Sequence, residues 1–75
     1  MPLNLAYNYA IINLGDGMCI SFRSMSHEFT EEELEANTNI IPVDVNDPEY
    51  VGKYYINGAW YEDAEGTVPW QSSLL

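Results

Sequence analysis

The sequence predicts a small, mainly β domain of the β-rich α+β class, and three observations support this prediction. Two segments each contain a pair of runs rich in aromatic and β-branched residues on either side of a glycine-containing turn. A short capped helical segment lies between these two segments. The chain has only 75 residues, and a domain of that size buries about 60% of the surface that its unfolded form exposes. We therefore expect one thin core in a single domain over residues 1–67, followed by an extended C-terminal arm over residues 68–75.

The first predicted antiparallel hairpin covers residues 7–23 and turns at Gly15-Asp16-Gly17. A three-residue loop would pair Ile12 with Ile20 and Ala10 with Phe22, which gives one wholly apolar face. We expect Gly17 in the left-handed conformation that such loops use. The opposite face is only half polar, so another segment could cover it; its residues would be Tyr7, Tyr9, Ile11, Asn13, Cys19, Ser21 and Arg23.

A short helix is predicted over residues 31–36. Thr30 and Glu33 have the spacing of a capping box, and three glutamates fill the first turn, where the helix dipole favours negative charge. Asn37 is the expected end of the helix. Residues 39–45 are predicted to form an extra strand, and Pro42 indicates an edge position because it has no amide donor.

The second predicted antiparallel hairpin covers residues 53–62 and turns at Asn57-Gly58, which suits a two-residue type I′ turn. That turn opposes Tyr55 to Trp60, and it places Lys53 opposite Glu62. One face of this hairpin is expected to join the domain core, and it consists of Tyr54, Ile56, Ala59 and Tyr61. For Tyr55, Trp60 and Trp70, contact with a partner and burial in the chain's own core are left as open alternatives.

The charge of the chain excludes several functions. Twelve acidic residues and two basic ones, Arg23 and Lys53, give a net charge of −10. Phosphate-driven nucleic-acid binding requires several lysine or arginine contacts, so direct binding of nucleic acid is not expected. No segment approaches the roughly 18 apolar residues of a membrane span, and the N-terminus lacks the basic and apolar regions of a secretory signal. We therefore expect no membrane contact and no signal peptide.

Residues that could carry chemistry are few. Cys19 and His27 are the only candidates for a nucleophile and a base, and no oxyanion-hole motif accompanies them. Residues 44–49 begin like a calcium loop, but Glu49 stands where glycine is required and Tyr55 where a bidentate glutamate is required. We therefore predict no catalytic, cofactor or metal site and no small-molecule substrate, which means that the chain is not expected to be an enzyme.

The sequence instead favours contact with other proteins. A small sheet with one lysine has few of the charges that natural edge strands use to prevent pairing. The arm over residues 68–75 is apolar at its end, and both the arm and the thin core would gain from a covering neighbour. The predicted protein interface consists of Tyr55, Trp60, Val68, Trp70, Leu74 and Leu75.

A resemblance narrows this prediction. Residues 50–70 contain Gly-Lys-Tyr-Tyr followed by Gly-Ala-Trp-Tyr-Glu-Asp, and this segment resembles the C-terminal segment of small acidic bacteriophage and prophage virion proteins associated with the tail or baseplate. The resemblance implies a structural role in the particle, with other virion proteins and copies of the same chain as partners. It also implies synthesis in the host cytoplasm and residence in the virion, and it assigns no catalytic residue.

Two functions of other classes remain as alternatives. The charge of −10 is compatible with an acidic DNA mimic that occupies the basic site of a host nucleic-acid-binding enzyme. The exposed aromatic residues are compatible with a carbohydrate-binding module that stacks a sugar ring on Tyr55, Trp60 or Trp70.

Overall fold

The computed structural model describes residues 7–75 of the chain. The prediction that the N-terminus carries no secretory signal concerns residues 1–6 and lies outside the described residues. The fold class is confirmed as β-rich α+β. In chain order the elements are β1 (Tyr7–Ile12), β2 (Cys19–Met25), α1 (Glu31–Ala36), β3 (Ile40–Val43), a 3₁₀ helix (Pro48–Tyr50), β4 (Tyr54–Ile56) and β5 (Ala59–Tyr61).

The strands form two antiparallel sheets. The first has three strands in the order β2-β1-β3, and the second contains β4 and β5. β3 lies at an edge of the first sheet, as Pro42 predicted, and Pro42 is paired there with Tyr9 of β1. The two sheets are joined near the start of β2, because the Cys19 amide donates to the Lys53 carbonyl at 2.7 Å and the Gly52 amide donates to the Cys19 carbonyl at 2.8 Å.

The register of the first hairpin was predicted correctly for most of its length and wrongly at the turn. Ala10 pairs with Phe22 as expected, but Ile12 pairs with Cys19 and not with Ile20, since a β-bulge shifts the register after Ile11. The loop therefore has four residues, 14–17, and the Asn13 amide donates across it to the Met18 carbonyl at 2.8 Å.

The bulge reverses the predicted environments of two side chains. Cys19 was expected as a small packed side chain on the half-polar face; it is packed, but in the core beside Ile12, whereas Ile20 is 54% exposed. The left-handed conformation of Gly17 is confirmed, with φ of 81°. The Gly17 carbonyl accepts a hydrogen bond from the Tyr55 amide at 2.9 Å, so this turn is fixed by the second sheet.

The helix is confirmed with its predicted bounds and its capping box. The Thr30 hydroxyl accepts from the Glu33 amide at 3.1 Å, and the Glu33 carboxylate accepts from the Thr30 amide at 2.9 Å. Asn37 caps the C-terminal end. The segment before the helix covers the second face of the first sheet, because the Phe29 ring packs edge-on against Tyr9 with centroids 4.9 Å apart and the Phe29 amide donates to the Tyr9 hydroxyl.

The second hairpin has the predicted register and turn. Tyr55 pairs with Trp60, and both turn residues have positive φ, 50° for Asn57 and 84° for Gly58. The predicted core face was wrong, however. Tyr55 and Trp60 pack against the core, whereas the four residues expected there, Tyr54, Ile56, Ala59 and Tyr61, lie outside the core cluster.

Candidate interaction surface

Tyr50 is the centre of the packing between the two sheets. It is 4% exposed and stacks on Phe22 of β2 with ring centroids 5.8 Å apart. Trp60 and Trp70 each meet it edge-on, with centroid distances of 4.9 Å. We refer to Tyr50, Tyr55, Trp60 and Trp70 as the aromatic cluster. Sequence reasoning did not select Tyr50, since its position after Asp47-Pro48-Glu49 indicated only a turn.

Three predicted interface residues belong to this cluster. Tyr55 and Trp60 lie side by side with ring centroids 5.0 Å apart, and the Lys53 ammonium group lies 5.2 Å from the Trp70 ring centroid. The Lys53 ammonium group therefore lies over an aromatic face. Tyr55, Trp60 and Trp70 are half-buried. They contribute to the chain's own core, and the remaining exposed part of each ring is open to a partner.

The C-terminal segment, residues 68–75, continues the second sheet. Pro69 forms a bridge with Tyr61, the Glu62 amide donates to the Val68 carbonyl at 2.8 Å, and the Trp70 amide donates to the Trp60 carbonyl at 3.0 Å. This backbone pairing lays residues 68–70 alongside β5. The first part of the predicted arm is therefore attached to the domain over the aromatic cluster.

A buried polar contact anchors the segment further along. The Ser72 hydroxyl donates to the Asp47 carboxylate at 2.5 Å, and these two side chains are only 2% and 4% exposed. Asp47 is also the N-cap of the 3₁₀ helix and accepts from the Glu49 amide at 2.9 Å. Hydrogen bonds from Ser72 and Glu49 lower the pKa of the Asp47 carboxyl below its ordinary value. The pair therefore fixes residue 72 to the turn that carries Tyr50.

Asp63 fixes the opposite end of the segment. Its carboxylate accepts from the Thr67 amide at 2.9 Å and from the Val68 amide at 3.0 Å, and it also contacts the Thr67 hydroxyl. The hydrogen bonds from Thr67 and Val68 lower the pKa of Asp63 below its ordinary value. Residues 68–72 are thus held at both ends by carboxylates. The sequence indicated that these two aspartates lie in turns but did not indicate their partners.

The remaining predicted interface residues are exposed. Val68 is 46% exposed, Leu74 is 61% exposed and Leu75 is 60% exposed. Val51, which sequence reasoning did not select, is 46% exposed next to the connection between the sheets. We use the term C-terminal face for Val68, Leu74, Leu75 and the exposed parts of Trp60 and Trp70. Two further exposed apolar residues, Leu14 and Ile20, lie on the first hairpin.

The structure separates the two residues considered for nucleophilic chemistry. Cys19 is completely buried at the start of β2, whereas His27 lies two residues beyond the last residue of that strand, Met25, at the surface. Burial raises the pKa of the Cys19 thiol, which donates to the Ser21 carbonyl at 3.2 Å. His27 is exposed, and its ring meets Phe29 edge-on.

Within residues 7–75, His, Cys, Asp and Glu side chains form no group of three or more with the geometry to hold a metal ion. The same range contains no helix of the length and apolar character that crossing a bilayer requires. Comparison of the chain with protein-family models, curated proteins and solved structures found no match.

Proposed function

We propose that this chain is a non-enzymatic structural or assembly protein of a bacteriophage particle, associated with the tail or baseplate, and that it acts through protein–protein contacts at its C-terminal face. The observation that carries the proposal is the exposure of Leu74 and Leu75 directly beyond the Ser72–Asp47 hydrogen bond. Neighbouring apolar side chains that are exposed on a surface often mark a site of contact with another protein.

Anchoring makes the C-terminal face suitable for binding. Ordering a flexible segment on association costs free energy, and a segment that is already held loses less. Residues 68–72 are held by pairing with β5 and by the carboxylates of Asp47 and Asp63. The tryptophans beside them are the residue type that most often dominates binding energy at protein interfaces. A partner would therefore meet a preformed surface with apolar ends and aromatic anchors.

The charge of the chain supports the choice of partner. A net charge of −10 keeps a small protein soluble before assembly and accelerates its encounter with a basic surface. It opposes association between copies of the chain unless the contact buries apolar area, as the C-terminal face would. We therefore propose other virion proteins as partners, with copies of the same chain meeting at this face.

The phage setting is supported by the resemblance over residues 50–70, which cover the second hairpin and the start of the C-terminal segment. The test is mass spectrometry of phage particles purified by density gradient from a host that expresses the chain. We expect the chain in the particles at a fixed ratio to the major virion proteins. Its absence from purified particles would contradict the proposal.

A matched pair of variants assigns the role to the C-terminal face. Leu74→Ser combined with Leu75→Ser removes exposed apolar area without touching the core, so the variant should fold and be missing from particles. Leu14→Ser alters a leucine that is 66% exposed on the first hairpin and should enter particles normally. Equal loss of both variants would argue against the C-terminal face.

The acidic DNA mimic is retained as a second candidate because Glu31, Glu32 and Glu35 are exposed on one short helix. Glu33 of the same helix is engaged in the cap. A mimic should bind a basic nucleic-acid enzyme with an affinity that falls steeply as salt is added. An assembly protein that docks through apolar side chains should show a much weaker salt dependence, so a salt titration of the isolated complex separates the two functions. The carbohydrate-binding prediction would be tested by loss of a sugar-induced fluorescence change in Trp60→Ala.

A further inference from the structure

A second feature lies on the other side of the three-stranded sheet. A groove-like cavity of about 290 Å³ opens between β1, β3 and the segment that precedes α1. Its lining includes Tyr7, Asn8, Tyr9, Glu28, Pro42 and Asp44. Tyr9 alternates along β1 with Ala10, which belongs to the core cluster. Tyr9 therefore lies on the face of the sheet opposite the core cluster.

The cavity combines aromatic rings with negative charge. Glu28 and Asp44 come from different segments and both are exposed carboxylates that line it. The two basic residues of the chain are not among its lining residues. Lys53 lies over Trp70. Arg23 is paired with Tyr9 from β2, so it shares the Tyr9 face of the sheet and lies one strand away on the side opposite Pro42. The lining of the cavity therefore contains two carboxylates and no basic side chain.

The walls of the cavity are well ordered by local contacts. Tyr9 is 3% exposed, and its hydroxyl accepts from the Phe29 amide at 3.0 Å, which fixes the ring and the residue next to Glu28. On the other wall, Pro42 and Val43 are paired with Tyr9 and Asn8. The two carboxylates are thus carried by segments with defined positions, which favours binding without large rearrangement.

We propose that this cavity binds an arginine side chain of a partner protein. A guanidinium group is planar, always charged and able to form paired hydrogen bonds with carboxylates, and it stacks on aromatic rings. Because Tyr9 is buried, the half-buried ring of Tyr7 would be the stacking surface. The cavity, at about 290 Å³, is just below the roughly 300–1,000 Å³ range of ligand pockets, which suits one long side chain better than a larger molecule. The net charge of −10 favours a basic partner.

This inference is independent of the proposed function, because it concerns other residues and another face of the sheet. A virion role could fail while the cavity still binds arginine. Conversely, the C-terminal face could mediate assembly even if the cavity were vacant in every complex.

The probe is a short capped peptide with one central arginine, added at millimolar concentration to the isotope-labelled full chain and followed by amide chemical shifts. We expect saturable shifts concentrated at β1, β3 and residue 28. The same peptide with citrulline replacing arginine has nearly the same shape without the charge, and it should bind at least threefold more weakly, which corresponds to the energy of an exposed ion pair. Equal binding of both peptides, or no saturable shifts with arginine, would overturn the proposal.

Matched variants locate the site. Glu28→Gln and Asp44→Asn should each weaken arginine-peptide binding about threefold or more. Glu35→Gln and Glu65→Gln remove the same charge from exposed positions outside the cavity, and they should leave the affinity nearly unchanged. Unchanged amide spectra away from the substitution check the fold. If all four variants weakened binding equally, only the net charge would be responsible and the cavity would not be the site.

Discussion

The two hairpins of this chain obtain their register from different sources. In the second hairpin, the Asn57-Gly58 turn has both residues at positive φ, and the pairing of β4 with β5 follows directly from it. In the first hairpin, a bulge after Ile11 shifts the pairing next to the turn. Hydrogen bonds from the second sheet hold that turn, at Gly17 and at Cys19. A local turn thus fixes one hairpin, and tertiary contacts fix the other.

Within residues 7–75, the first hairpin thus depends on contacts with the second. The register of the second hairpin is set by its own turn, and this hairpin supplies the backbone partners that the first hairpin needs at its turn. Tyr50 completes the connection, since it contacts Phe22 on one side and Trp60 and Trp70 on the other. The C-terminal segment closes over the same ring, so the candidate interaction surface and the connection between the hairpins share their side chains.

The largest expected effect is the loss of this connection. Tyr50→Ala should lower the free energy of unfolding by about 3–5 kcal/mol, the usual cost of truncating a buried aromatic side chain to alanine. Tyr50→Phe keeps the ring and should cost less than about 1.5 kcal/mol, as volume-conserving changes do. Urea unfolding followed by tryptophan fluorescence measures both variants. A loss below about 1 kcal/mol for the alanine variant would show that Tyr50 does not join the two sheets.

Two glycines give the sharpest test of the difference between the turns. Gly17 and Gly58 have similar positive φ, 81° and 84°, but a Cβ at Gly17 would lie 2.7 Å from the Tyr55 carbonyl oxygen, whereas at Gly58 nothing lies within 4 Å. Gly58→Ala should lower the free energy of unfolding by about 1–2 kcal/mol, which is the cost of placing a residue with a Cβ in the left-handed conformation. Gly17→Ala adds a backbone clash and should cost about 1–3 kcal/mol more.

Thermal or urea unfolding of the two glycine variants under identical conditions provides the comparison. Equal losses of stability would mean that the first turn is not held against the second sheet. A smaller loss at Gly17 than at Gly58 would contradict the described contact between Gly17 and Tyr55 altogether.

The smallest expected effect is a loss of stability at acidic pH. The pKa of Asp47 is lowered in the folded chain from its ordinary value of 3.8, mainly by the Ser72 hydroxyl. A carboxyl with a lowered pKa contributes stability that is present above the unfolded value and is lost as the pH falls through the folded value. Stability should therefore decrease below about pH 4, and Ser72→Ala should make this decrease shallower.

The acid series is measured as the midpoint of thermal unfolding at a set of pH values. Ser73→Ala is the matched control, since Ser73 is exposed next to the hydrogen-bonded serine, and it should retain the full decrease. Asp63 also has a lowered pKa, caused first by the Thr67 hydroxyl, so part of the decrease should survive in Ser72→Ala. Identical acid curves for wild type and Ser72→Ala would show that the Asp47–Ser72 hydrogen bond does not stabilise the folded chain.

Local chemistry made the helix and the second hairpin predictable. The Thr30–Glu33 capping box and the Asn57-Gly58 turn are each encoded within four or fewer neighbouring residues, and both are present. The bulge at Ile11 was not predictable in this way. It depends on hydrogen bonds between Cys19 and residues 52–53, which are distant in sequence.

The candidate surface was predictable only in part, for a related reason. The sequence selected Leu74 and Leu75 as interface residues, and the structure shows that both are exposed. Alternation along the second hairpin divided its aromatic residues into two faces, but both faces carry large rings, so the sequence did not indicate which one packs on the core. Asp47 and Ser72 are 25 residues apart, and nothing in the sequence connects them.

The central claim is that the C-terminal face, and not exposed apolar area in general, is where this chain meets a neighbour. Sedimentation velocity over a range of concentrations tests it most directly. We expect the wild-type chain and Leu14→Ser to associate as concentration rises, and we expect the variant with both Leu74→Ser and Leu75→Ser to remain monomeric. A wild-type chain that stays monomeric at every concentration, or association that survives in the double variant, would contradict the claim.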